Sequence, residues 1–186
     1  MQSFSGKSHC HAIGGFRIME LSQRFYVDRA FLHILAIPMP NPRSTASIAG
    51  HPIHPMLIPF PIAFFVGTFA CDLVYWQTSN SAWAAATPWL LGAGLVMAAL
   101  AAVMGLIDVF GDQQIRQLST VWWHAGANVL VVLIEFFNLF FRYQQGPAAI
   151  VPNGLLLSLL AVVLLLFSGW KGGELVFHGR VGVADI

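Results

Sequence analysis

Charge is the scarcest ingredient of this sequence: Asp, Glu, Lys and Arg together make up 9% of its 186 residues. Water-soluble domains carry about 25% charged residues, so a fold bathed in water is not expected. The few charges nearly cancel, at +1 overall. No basic patch is large enough to follow a phosphate backbone, and nucleic acid drops out as a partner. Cysteine is nearly absent too. Cys10 and Cys71 form neither a CxxC pair nor a disulfide framework. Phosphate-binding loops, dinucleotide fingerprints, nucleophile elbows and nucleophile–base pairs are all missing. With short loops there is little room for a soluble catalytic domain, and a conventional enzyme is not expected.

What fills the chain instead is apolar: 57% of residues are hydrophobic. From Met56 they gather into runs near the ~20 residues that cross a bilayer. The runs cover about 56–76, 88–110, 121–141 and 152–170, joined by the short stretches 77–87, 111–120 and 142–151. Short joints make successive helices antiparallel neighbours. The expectation is an all-α integral membrane protein, an up-down four-helix bundle surrounded by lipid.

Basic residues orient it. The N-terminal region, Arg116, Lys171 and Arg180 fall on one side, and Arg142 alone on the other. Positive charge favours the cytoplasm, so both termini are expected there, in a bacterial inner membrane. Trp76, Trp83 and Trp89 would then belt the outer interface, and Trp122, Trp123 and Trp170 the inner one. Cys10 and Cys71 would lie on opposite sides.

Residues 1–48 differ from the rest. Lys7, Arg17, Arg24, Arg29 and Arg43 face only Glu20 and Asp28, and the apolar patch 31–37 is too short for a signal sequence. Met39 opens a shorter reading. A disordered extension or an over-extended gene start is expected before a transmembrane domain at 49–183. His9, Cys10 and His11 have ligand chemistry but no scaffold to hold it.

The domain opens on HPIHPMLIPFP, residues 51–61, with four prolines and two histidines. Proline lacks a backbone donor and clashes with the preceding turn, so an irregular start is expected here. Further on, His124, Asn128, Glu135, Asn138 and Arg142 recur at helical spacing. At 3.6 residues per turn they occupy an arc of roughly 80°. Lipid cannot satisfy such a stripe, so it must face other helices. It reads either as interhelical glue or as a polar path. Glu135 should be protonated, or paired with Asn138 and a group on another helix. Asp72 stands level with Arg142, and an ion pair accommodates both.

At the inner end, His51, His54, Asp108 and His124 share a level with Glu174 and His178. Three readings stay open there. The groups are structural, or they bind a transition metal, or His54 and His124 are the axial ligands of a b-type haem. Gly92, Gly94, Ala98, Ala101, Ala102 and Gly105 form a close-packing surface. Gly169, Gly172 and Gly173 are expected to end the fourth helix.

Several motifs in order carry a resemblance: HPIHPMLIPFP, Asp72, GLID at 105–108, WWHAGAN at 122–128 and GWKGGELVFHGRVGV at 169–183. Together they resemble a family of uncharacterised bacterial inner-membrane proteins, the four-helix domain of unknown function 2231. Many members have a further histidine where this chain has Pro59, which leaves His51, His54 and His124 as the candidates. Some relatives are fused to Rieske or cytochrome c modules. The resemblance therefore implies other membrane subunits or electron carriers as partners.

Overall fold

The structure is a computed structural model that describes residues 40–184. His9, Cys10, His11 and Met39 lie outside the described residues.

The described chain opens on a small hairpin. Strands β1 (Ser47–Ile48) and β2 (His51–Pro52) pair antiparallel, with Ile48 opposite His51. Ala49 and Gly50 turn between them at φ 50° and 79°. A two-residue turn with positive φ at both positions matches strand twist, and glycine takes it without a Cβ clash.

The prolines of 51–61 divide helix rather than dissolve it. Helix α1 (Ile53–Leu57) follows Pro52, whose φ of −62° is already helical in φ. Helix α2 (Pro59–Thr78) has proline in its first turn, where the missing N–H has no intrahelical partner to lose. Ile58 between them keeps helical angles, and its N–H bonds to His54 O at 3.2 Å. The expected irregular backbone shrinks to a joint.

Helix α3 (Ser81–Gly111) starts well before residue 88, leaving Ser79 and Asn80 as the turn. Asn80 caps it, its Oδ1 accepting from Ala82 N at 3.0 Å. Pro88 lies inside the helix. It cannot serve the Ala84 carbonyl one turn back, but Thr87 Oγ1 donates to that oxygen at 3.0 Å. The breaker is thereby tolerated. A short helix α4 (Gln113–Gln117), capped by Asp112, leads to α5 (Ser119–Gln145).

A tight turn at Gly146–Ala149 and a wide one at Ile150–Gly154 lead to α6 (Leu155–Phe177). Val151 breaks the helical path at φ −116°, ψ 125°, so α5 and α6 are separate rods. The glycines expected to stop α6 are inside it, since the helix runs on to Phe177. Each costs about 1 kcal/mol of propensity, a price that packing along the bundle outweighs.

The four long helices close a ring: α2 packs on α3, α3 on α5, α5 on α6, and α6 on α2. A single apolar layer takes one residue from each: Phe65, Leu91, Val131 and Ala161. Gly94 makes room for it, because a Cβ there would meet the Phe65 ring at 2.5–2.8 Å. The outside is as apolar as the inside. Trp89, Leu166, Trp170 and Phe177 are all more than 70% exposed, a surface suited to lipid and not to water. Among the described residues, three helical stretches are long and apolar enough to cross a membrane: Ile53–Thr78, which includes the joint at Ile58, Ser81–Gly111, and Ser119–Phe177, which spans both α5 and α6 across the break at Val151.

Candidate functional site

The polar residues sort into two arrangements, on either side of the Phe65–Leu91–Val131–Ala161 layer. The first is a histidine pair. His54 sits on α1, and its Nδ1 lies 2.7 Å from Ala101 O on α3. His124 sits one turn into α5, with Nδ1 2.9 Å from Ser168 O and 3.2 Å from Ser168 Oγ on α6. A carbonyl only accepts, so each Nδ1 carries the hydrogen and each Nε2 keeps its lone pair. The rings stand 6.2 Å apart between centres and nearly perpendicular, at 85°.

Glycine lets both rings lie against helix backbone. A Cβ on Gly105 would stand 3.1 Å from the His54 ring, and one on Gly172 would stand 3.2 Å from His124 Cε1. Asn128 donates through Nδ2 to His124 O at 2.9 Å and to His124 Nε2 at 3.1 Å.

The other groups of the inner level are engaged separately. Asp108 is buried under residues 44–46, which composition had assigned to the N-terminal extension. Its Oδ1 accepts from Ala46 N at 2.7 Å and Ser44 Oγ at 2.9 Å. His51 is exposed in the hairpin, with Nδ1 3.0 Å from Ala49 O. Glu174 receives Lys171 Nζ at 2.8 Å and Trp170 Nε1 at 2.8 Å. The backbone N–H of His178 closes α6 on Glu174 O. Among the described residues, no three of His, Cys, Asp or Glu converge as metal ligands. The expected mouth cluster thus separates into an imidazole pair, a strap anchor and surface pairs.

The second arrangement is a buried network on the far side of the apolar layer. Arg142 grips Asp72 through two bonds, Nη1–Oδ1 at 2.8 Å and Nη2–Oδ2 at 2.7 Å. Arg142 also donates to Thr87 Oγ1 at 2.6 Å and Asn138 Oδ1 at 3.1 Å. Ser158 Oγ donates to Asp72 Oδ2 at 2.8 Å. Asn138 Nδ2 gives its hydrogens to Glu135 Oε2 at 2.9 Å and Ser158 Oγ at 3.0 Å. All four long helices contribute, and Asp72, Thr87, Glu135, Asn138 and Ser158 are wholly inaccessible. Nothing in the sequence pattern points to Thr87 or Ser158 as members of this network. The available signal was a hydroxyl residue within an apolar helix, which occurs too often to single either out.

Residues 50–185 match the family model described as predicted membrane protein, DUF2231. The chain belongs to this family. Its membrane description agrees with the apolar exterior and carries no statement of activity. The range matched to DUF2231 contains both polar arrangements, while the strap residues Ser44 and Ala46 precede it. No curated protein and no solved structure matches the chain.

Proposed function

We propose that this DUF2231 protein crosses the bacterial inner membrane four times, up and down, with both termini in the cytoplasm. We further propose that His54 and His124 are the axial ligands of a b-type haem in a small redox module. The observation that carries this reading is the geometry of the imidazole pair. Two imidazoles from different helices stand with ring centres 6.2 Å apart, and each has its Nδ1 on a backbone carbonyl, so that Nε2 would be the ligand atom of each.

The surroundings support it. Metal-bound histidines are typically held by a second bond from the other ring nitrogen, often to a backbone carbonyl. Ala101 O and Ser168 O serve in that way. Asn128 must release His124 Nε2 for it to ligate, and it keeps its bond to His124 O when it does. The donor count favours haem over a bare ion. A bare ion needs three or four protein donors, whereas a macrocycle supplies the equatorial nitrogens itself. Bound there, haem supplies one-electron chemistry, and the protein holds the imidazoles in register on α1 and α5. Membrane subunits or electron carriers would be its exchange partners.

A second reading is a structural accessory subunit. The Asp72–Arg142 network favours it, since such bonds hold helices in register without any cofactor.

Oxidised and reduced absorption spectra of the purified protein test the haem assignment. A Soret band and a reduced α-band are expected, both lost in His54→Ala and His124→Ala. Colourless protein from haem-replete cells overturns it.

A further inference from the structure

The buried network leaves one atom over. Glu135 Oε1 is the fully buried side-chain oxygen, among the described residues, that meets no hydrogen-bond partner. The groups facing it come from every helix of the ring. Asp72 comes from α2, Thr87 through its bond with Arg142 from α3, Ser158 from α6, and Asn138 and Arg142 from α5 itself. Arg142 is the positive charge in this set, and its two bonds to Asp72 already balance it. Both amide hydrogens of Asn138 are used, one on Glu135 Oε2 and one on Ser158 Oγ.

An ionised Glu135 would therefore leave a net negative charge in an apolar interior with one oxygen bare. Burying an uncompensated charge costs several kcal/mol. A neutral acid with its hydrogen on Oε1 leaves only one hydrogen bond unmade, about 1–3 kcal/mol. The second state wins.

We infer that Glu135 is a proton-binding site of the membrane interior, distinct from the histidine pair. The resting bundle holds the proton on Oε1. Val131, one turn away on α5, closes the apolar layer on the histidine side, while the Asp72–Arg142 network lies on the other. This assignment does not depend on haem at His54 and His124.

Infrared spectra of purified protein at neutral pH test it directly, because the exposed carboxylates are then ionised. A carboxylic-acid carbonyl band is expected. It should shift in D2O, disappear in Glu135→Gln and move without disappearing in Glu135→Asp. Thermal unfolding provides the second readout. Glu135→Gln should melt close to the parent, since the amide is a neutral isostere, while Glu135→Ala should melt lower. Absence of the band, its survival in Glu135→Gln, or strong destabilisation by Glu135→Gln each overturns the inference.

Discussion

Arg142 and Asp72 meet as a two-point clasp, guanidinium to carboxylate at 2.8 and 2.7 Å, both all but sealed from solvent. They join α5 to α2, helices that are diagonal in the ring, so the clasp spans the bundle. Losing one member strands a buried charge, at a cost of about 3–5 kcal/mol. Asp72→Asn and Arg142→Met are each expected to lower the unfolding midpoint in detergent sharply. Asp72→Leu combined with Arg142→Met should recover most of the loss, since apolar replacement of a whole pair is often neutral. Unchanged midpoints in the single variants would show that the clasp contributes nothing.

Gly105 and Gly172 set how closely the helix backbone approaches the histidine pair. Alanine in a helix interior gains about 1 kcal/mol of propensity over glycine. A methyl at either position presses on an imidazole at 3.1–3.2 Å. Crowding of that kind costs about 1–3 kcal/mol, equivalent to a loss of haem affinity of roughly five- to 150-fold. The crowding offsets or exceeds the propensity gain, so Gly105→Ala and Gly172→Ala should melt no higher than the parent and carry less haem. Full pigment in both variants argues against ligation by this pair.

Asp108 is expected to act on the strap and not on chemistry. Its carboxylate holds Ala46 N and Ser44 Oγ, and removing it leaves buried donors unmet at about 1–3 kcal/mol. Asp108→Ala should speed proteolysis between Asn41 and Gly50 several-fold while the helices remain protected. Equal cleavage rates in parent and variant would mean that the strap is held elsewhere.

The proposed orientation is open to thiol labelling. Ser81, at the start of α3, and Gln117, at the end of α4 beyond the other end of α3, are both exposed. In a Cys10→Ser background, Ser81→Cys should react with an impermeant reagent added to spheroplasts, and Gln117→Cys only after lysis. The reverse pattern would invert the topology.

Part of this was open to reading from local composition. Scarce charge and recurring apolar runs point to lipid, because hydropathy sums over neighbouring residues without reference to the fold. The helical spacing of His124, Asn128, Glu135, Asn138 and Arg142 likewise puts them on one face. Local rules misjudge the ends of helices. Pro88 reads as a breaker, yet Thr87 repairs the carbonyl it abandons and α3 continues to Ser81. Gly172 reads as a terminator, yet it is the place where His124 approaches α6. In both cases a side-chain bond or a tertiary contact outweighs about 1–3 kcal/mol of intrinsic preference.

The mouth of the bundle shows the limit most clearly. Helix lengths place His51, His54, Asp108 and His124 on one level, and level is all that length can assign. Direction around the helix and the path of the strap decide which atoms meet. Asp108 turns to Ser44 and Ala46, His51 to its own hairpin, and His54 to His124. The amino-acid sequence by itself determined the apolar class, the helical periodicity and the narrow polar stripe, all properties of residues near one another in the chain. Only tertiary packing decided that two imidazoles stand alone, that Thr87 and Ser158 complete a network, and that Glu135 keeps a bare oxygen. Those outcomes depend on atoms brought together from distant helices, and no local pattern encodes their distances.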